Sequence, residues 1–421
     1  MKTLVELFDT CQLTNVIAGI SCLPEKIIFL GDAEVMNQDR RDALDRFFRM
    51  RKQTVKLEYI SVKIDSYSDI LTKMERVLSM NQDVCIDITG GREMVLTVLG
   101  EAAYCHNLPL IRFDVSTGKM LRIKNAQHIP IPTPAIITVR QSVVLNGGEV
   151  ISPQNYLSPQ QLTPSFCKEI RSLFAISKQK PKLWNQFAIA LEGLLNCARV
   201  TPELKVYADL SGISETQYKK LTDYNYFDQL SDAGLILGYK EENGKLFFQY
   251  KNEQVHQCMS KAGNILEIYS YMLLNELSKA HPGLFGDMRM GVLADWDGKM
   301  IPRCYSGTRN EIDLMVTKNA IPIFISCKHG EVLKEALYEL HTVAEHYGGE
   351  YAKKVLITAE LSNSPTKRKS FLDRASDMGI TVIYNVNRIT EERFLELLCE
   401  IGTEEKKDSK ENSLKIHKNY I

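Results

Sequence analysis

Neither sign of charge is in excess, no apolar run is long, and no cysteines stand in pairs; each absence removes a class of protein. Lysine plus arginine and aspartate plus glutamate both total 52 among 421 residues, so the chain is formally neutral. That removes the simplest case for a protein that coats nucleic acid, while leaving room for a local basic cleft. The longest apolar runs, such as 84–88 and 321–327, are interrupted by charge or end within eight residues, far short of the roughly 20 a membrane helix needs. Ten cysteines include no C-x-x-C pair, which argues against a zinc ribbon, and a disulfide scaffold is out of place in so long a chain. His341 and His346 are five apart and leave the same helical face, so no metal spacing is seen among the histidines. Glu6 falls where a secretory signal keeps its apolar stretch, and the expected compartment is the cytoplasm. What is present is an ordinary globular composition, 44% apolar and 25% charged, at a length that suits two to three domains.

Along residues 1–145, short apolar or β-branched runs at 3–9, 26–31, 57–63, 83–87 and 110–114 alternate with helical patterns at 39–52, 66–78 and 91–106. This alternation predicts a parallel, doubly wound α/β sheet, which binds ligands beyond the carboxyl ends of its strands. A stretch rich in proline and glycine, from Pro130 to Pro164, marks the first boundary. Residues 165–255 read as helices at 166–178, 184–197 and 226–233, then a hairpin turning at Glu242-Asn243-Gly244. The unit is winged-helix-like, and a structural linker reads equally well. Residues 256–402 form a third unit. It has a long helix at 262–278, a hairpin of 312–317 with 321–327, a helix at 332–347, and strands at 354–358 and 381–384. Residues 403–421 are charged and poor in packing residues, so a mobile tail is expected.

Two places carry chemistry. Strand 83–87 runs into Ile88-Thr89-Gly90-Gly91-Arg92-Glu93, which opens a helix. Two glycines at such a turn let backbone N–H groups approach an anion, and the helix start adds positive potential. Thr89 can donate a hydroxyl bond and Arg92 can fork to a phosphate; a side chain at Gly91 is expected to obstruct the ligand. The same glycines would also serve a turn needed only for chain reversal. The loop is neither a Walker A nor a G-x-G-x-x-G sequence.

In the third unit, Asn310-Glu311-Ile312-Asp313 is followed across a turn by Phe324-Ile325-Ser326-Cys327-Lys328. A turn centred on Asn319 places Asp313 opposite residues 325–327, and alternation puts Ser326 and Lys328 on one face. An acid and a lysine at a strand end suit metal-assisted phosphodiester hydrolysis. Upstream, Glu267 sits among Ile265, Leu266, Ile268 and Tyr269, where an acid needs a partner. The bland alternative is a surface ion pair of Asp313 with Lys328 in an inactive relic.

Asp87-Ile88-Thr89-Gly90-Gly91 after a fourth strand resembles the CARF domains that sense cyclic oligoadenylates in type III CRISPR defence. The resemblance covers residues 1–145. It implies a six-stranded Rossmann-like domain, a homodimer, and a ligand held by Thr89, Gly90, Gly91 and Arg92 together with the first-strand loop. Here that loop is Asp9, Thr10, Cys11 and Gln12, with Asn15 just beyond. Gly263-x-x-x-Glu267, then Asp313, then Lys328 resembles the PD-(D/E)xK restriction-endonuclease-like superfamily. Ser326 departs from it, standing where that pattern has an acid; Glu267, Glu311 or Glu339 could supply the missing carboxylate. The resemblance implies Asp313, Lys328, Glu267, Glu311 and Ser326 as the catalytic set, with Mn²⁺ or Mg²⁺ at Asp313, Glu267 and Cys327.

Joined, the two halves resemble CRISPR ancillary nucleases. The resemblance implies activation by cyclic tetra-adenylate and cleavage of DNA or RNA or both. The alternative reading is a CARF-controlled winged-helix transcription regulator with an inert nuclease-like domain, which would not need Glu267, Asp313 and Lys328.

Overall fold

The computed structural model describes residues 1–114, 118–124, 127–131, 136–151, 157–259, 263–299, 309–330 and 332–402. The tail expected at 403–421 lies outside them.

The first unit runs β1 (Thr3–Leu7), α1 (Thr14–Cys22), β2 (Lys26–Gly31), α2 (Gln38–Met50), β3 (Lys56–Ser61), α3 (Tyr67–Met80), β4 (Val84–Asp87), α4 (Glu93–Cys105), β5 (Leu110–Asp114), β6 (Lys119–Lys124) and β7 (Gln127–Ile131). Its seven strands lie in the order β3-β2-β1-β4-β5-β6-β7. Pairing is parallel from β3 through β5, and β6 and β7 add antiparallel edges. The sheet is therefore one strand wider than the resemblance implies. All residues of β1 and β4 are buried, as strands covered on both faces must be. Helices α2 and α3 start where Asn37 and Ser66 accept the amides of Arg40 and Asp69. Because β1 pairs with β2 on one side and β4 on the other, strand order reverses between β1 and β4. The loops after these two strands open at that switch point, where doubly wound sheets hold ligands.

The chain then passes through α5 (Val139–Leu145) and β8 (Glu149–Ile151) before the middle unit. β8 pairs antiparallel with a later strand, and α5 bridges the two units: Val139 and Val143 join the third unit's apolar cluster and Leu145 joins the first unit's. β8 covers a sheet edge that would otherwise stay unpaired.

The middle unit comprises α6 (Pro164–Ser177), α7 (Pro181–Leu195), β9 (Arg199–Val200), β10 (Lys205–Asp209), α8 (Glu215–Thr222), α9 (Tyr226–Asp232), β11 (Ile236–Glu242), β12 (Lys245–Tyr250) and α10 (Glu253–Met259). Its antiparallel sheet has the order β11-β12-β10-β9. Asn243 and Gly244 both take left-handed φ, at 52° and 70°, and close the expected hairpin.

The third unit follows as α11 (Asn264–Ala280), β13 (Met288–Asp295), β14 (Arg309–Lys318), β15 (Ile321–Lys328), α12 (Glu335–Gly348), β16 (Lys353–Thr358), α13 (Pro365–Asp377), β17 (Ile380–Ile383) and α14 (Glu391–Gly402). Its sheet order is β17-β16-β15-β14-β13-β8. One continuous apolar cluster links Trp184 and Phe187 of α7, Tyr250 of β12, Tyr271 of α11 and Ile325 of β15. The middle unit is therefore packed into the third rather than strung beside it. Among the described residues no helix is long and apolar enough to cross a membrane.

Candidate functional site

At the switch point the first-strand loop and the Thr-Gly-Gly loop meet. Buried Asn15 pins the former: its Oδ1 accepts the Asp9 amide at 2.7 Å and its Nδ2 donates to the Asp9 carbonyl at 2.9 Å. A Cβ built on Gly90 would lie 2.9 Å from both Asp9 Oδ2 and Thr14 Oγ1, so the two loops touch through that glycine. Gly91 is needed for a different reason than expected. Its φ is 143°, and a Cβ there would meet Leu96 at 2.9 Å and Leu7 at 3.3 Å, inside the domain rather than toward a ligand. Thr89 is tied down, its hydroxyl donating to Asp87 at 2.6 Å and accepting the Phe113 amide at 2.8 Å. Arg92 is exposed at the N-cap of α4 and makes no ion pair among the described residues. Thr10 is exposed, whereas Cys11 and Gln12 are buried, and the Gln12 Nε2 donor lacks an acceptor among the described residues.

Beneath these loops lies a pair the sequence reading passed over. Glu6 of β1 and Asp87 of β4 are both 2% exposed. Burial first, then the neighbouring Asp87 charge, raise the Glu6 carboxyl well above its ordinary range. Burial pushes Asp87 up to about 6, against the pull of the Thr89 bonds. Glu6 receives no donor among the described residues, so its own proton is what it can offer, and Asp87 is the acceptor beside it. The signal was available: an acid inside an apolar strand needs an account.

The hairpin register is as the sequence implied. Asn319 turns with φ 52°, Lys318 pairs with Ile321, and Leu314 pairs with Ile325. Asp313 thereby faces the end of β15. Its Oδ2 accepts the Cys327 amide at 2.7 Å and the Ser326 hydroxyl at 3.1 Å, and lies 3.6 Å from Lys328 Nζ. The Lys328 side chain is 37% exposed and that of Asp313 15%, so the pair stands at an open edge.

The Cys327 thiol points the other way, 4.0 Å from Ser270 Oγ of α11, and burial raises its pKa well above the usual value. Any contribution from Cys327 to a metal would come through its main chain. Glu267, in the first turn of α11, acts electrostatically on Cys327 together with Asp313. Glu311 is exposed on β14 and Glu339 is exposed on α12, and neither is bonded to Asp313.

No group of three or more metal-binding side chains is assembled among the described residues. A hard cation bound through one or two carboxylates and completed by substrate phosphate suits such a site, as magnesium commonly is. Asp313 offers one such carboxylate at the strand end, and Glu267 lies close enough to act electrostatically on the same Cys327.

The tip of the same hairpin packs on the first unit. Ala320 at the hairpin tip is buried in the first unit's apolar cluster, which holds Cys11 and Phe8, and Ile321 and Tyr351 pack against the same cluster. A groove between the units is lined by Thr10 and Gln12 on one side and Glu345, His346 and Gly349 on the other.

Neither a protein-family model nor a curated protein sequence matches this chain. Solved structures do. VC1899 from Vibrio cholerae is 16% identical over 96% of this chain and 99% of that one, with a TM-score of 0.71. Can2 from Sulfobacillus thermosulfidooxidans, solved in complex with cyclic tetra-adenylate, is 18% identical over 96% of this chain and 100% of that one, with a TM-score of 0.66. A type III CRISPR defence DNA nuclease activated by cyclic oligoadenylate is 14% identical over 86% of this chain and 46% of its own, with a TM-score of 0.46. The chain shares, almost end to end, the α/β fold of VC1899 and Can2.

Proposed function

We propose that this chain is a nuclease switched on by a cyclic oligoadenylate, acting as a homodimer in type III CRISPR defence. The observation that carries the reading is the convergence of the Cys327 amide, the Ser326 hydroxyl and the Lys328 ammonium on one oxygen of Asp313 at an open strand end. The shared fold with Can2, which was solved with cyclic tetra-adenylate, supports a ligand of that class at the two sensor loops.

In this reading the Cys327 amide and Ser326 hydroxyl hold the Asp313 carboxylate in one orientation. Lys328 then has a fixed counter-charge and directs its remaining protons outward, where it can steady a water or a phosphate oxygen. Asp313 and Glu267 would hold Mn²⁺ or Mg²⁺, which when bound polarises the phosphate. Activator held by the first-strand loop, at Thr10 and Gln12, and by the Thr-Gly-Gly loop, at Thr89, Gly90 and Arg92, would act on the hairpin through Ala320 and Tyr351.

The regulator reading draws less support. Helix α9, where a base-reading helix would stand, buries Tyr226, Phe227 and Leu230 and carries Asp228 and Asp232, which repel phosphate. The test is incubation with labelled DNA and RNA in Mn²⁺, with and without cyclic tetra-adenylate. Activator-dependent cleavage is expected; binding of the activator with no cleavage of any substrate would favour the regulator.

A further inference from the structure

The loop joining α6 to α7 reads Lys178-Gln179-Lys180-Pro181-Lys182 and forms one wall of an open groove of about 640 Å³. The other wall is Glu360, Asn387 and Arg388, from the loops after β16 and β17. The groove opens beside the catalytic hairpin. Lys328 pairs with Thr358 across β15 and β16, and the Ala359 amide donates to the Lys328 carbonyl at 3.1 Å, so Glu360 stands one strand away from the lysine.

Two residues after Lys328 lock the basic loop to this edge. His329 is buried with its ring centre 6.3 Å from that of Phe174 in α6, and Lys178 Nζ is 5.8 Å from the same Phe174 ring. Gly330 abuts α7: a Cβ there would lie 3.0 Å from the Asn185 amide nitrogen. In a chain of zero net charge, four cations line this groove against the single acid Glu360, which lies 3.7 Å from Arg388. Lys180 Nζ sits 4.5 Å over the ring of Tyr224, which steadies that lysine at the groove wall. The buried Asn387 Oδ1 has no donor among the described residues and offers an acceptor to a hydroxyl or amino group.

We propose that this groove is a phosphate track, in which Lys178, Lys180, Lys182 and Arg388 hold the backbone of the nucleic-acid strand on one side of the bond presented to Asp313 and Lys328. It rests on the nuclease reading, and it makes the middle unit part of the substrate surface instead of a linker.

The test uses the full chain carrying Asp313→Asn, with cyclic tetra-adenylate, and follows binding of fluorescein-labelled DNA and RNA oligonucleotides as salt is raised. Lys178→Gln/Lys180→Gln/Lys182→Gln together should weaken binding about tenfold or more and flatten the slope of log affinity against log salt by about 2, since each phosphate contact to a single strand carries about 0.7. Arg388→Gln, on the opposite wall, should do the same by a smaller amount, and unchanged melting temperatures exclude misfolding. Unchanged affinity and slope in both variants, or no oligonucleotide binding by the parent protein, would overturn the track. Cleavage by the chain with intact Asp313 separates the two readings. Cleavage with groove-independent binding sinks the track alone. Groove-dependent binding without cleavage sinks the nuclease and keeps the track.

Discussion

Ser326 gives its hydroxyl to the same Asp313 oxygen that accepts the Cys327 amide and faces Lys328. A carboxylate in place of that hydroxyl would confront Asp313 at hydrogen-bond range, and two carboxylates there repel unless a cation lies between them. Ser326→Glu is therefore expected to lower the melting temperature in metal-free buffer and to recover more than the wild type on adding Mn²⁺. Equal recoveries in the two proteins would show that position 326 faces no cation site.

The hairpin tip and Tyr351 reach into the first unit's core beside Cys11. Truncating the ring should loosen that connection while leaving the ligand loops in place. Tyr351→Ala should bind cyclic tetra-adenylate with wild-type affinity by calorimetry yet lose most of its activator-dependent cleavage. Full stimulation in this variant would place the coupling elsewhere.

The two glycines of the sensor loop should separate folding from binding. At Gly91 a side chain meets both a positive φ and Leu96, so Gly91→Ala should cost about 1–3 kcal/mol of stability in denaturant unfolding. At Gly90 the backbone tolerates any residue, but a methyl would push against Asp9 and Thr14. Gly90→Ala should weaken activator binding more than it lowers the melting temperature. The reverse order would contradict the loop assignment.

Glu6 and Asp87 set a sign for pH. Both folded-state values are raised, Asp87 to about 6, so the unfolded chain releases these protons first as pH rises. Their contribution to stability is fully present below about pH 4 and is lost as pH climbs through about 6 and above. Glu6→Gln keeps the shape, gives Asp87 a permanent donor and removes one ionisation. The drop in melting temperature from pH 5 to pH 8 should be smaller in this variant than in the wild type. An equal drop would mean that the pair does not titrate with folding.

Much of this was legible in the sequence because short-range signals carried it. Asn319 fixed the hairpin register, and helical length and period marked α2 and α3. Helix α1 was not legible, because Thr14–Ile20 are all buried and show no polar face to give a period. Helix α13 failed in the opposite sense, burying only Ala375. The pairing of β8 with β13 spans the whole middle unit, and no local pattern announces it. The site divides likewise: Asp313, Ser326 and Lys328 were visible as a spacing, whereas the Ala320 and Tyr351 contacts and the lysine groove exist only once separate units pack.

The central claim is tested most directly by cleavage of labelled DNA and RNA in Mn²⁺, with saturating cyclic tetra-adenylate, by wild-type, Asp313→Ala and Lys328→Ala proteins. The wild type should cut only with activator, and both variants should bind activator normally and cut at least about a hundredfold more slowly, as expected for losing a group that stabilises developing charge. Undiminished cleavage in both variants would contradict the account and put the catalytic centre away from the hairpin.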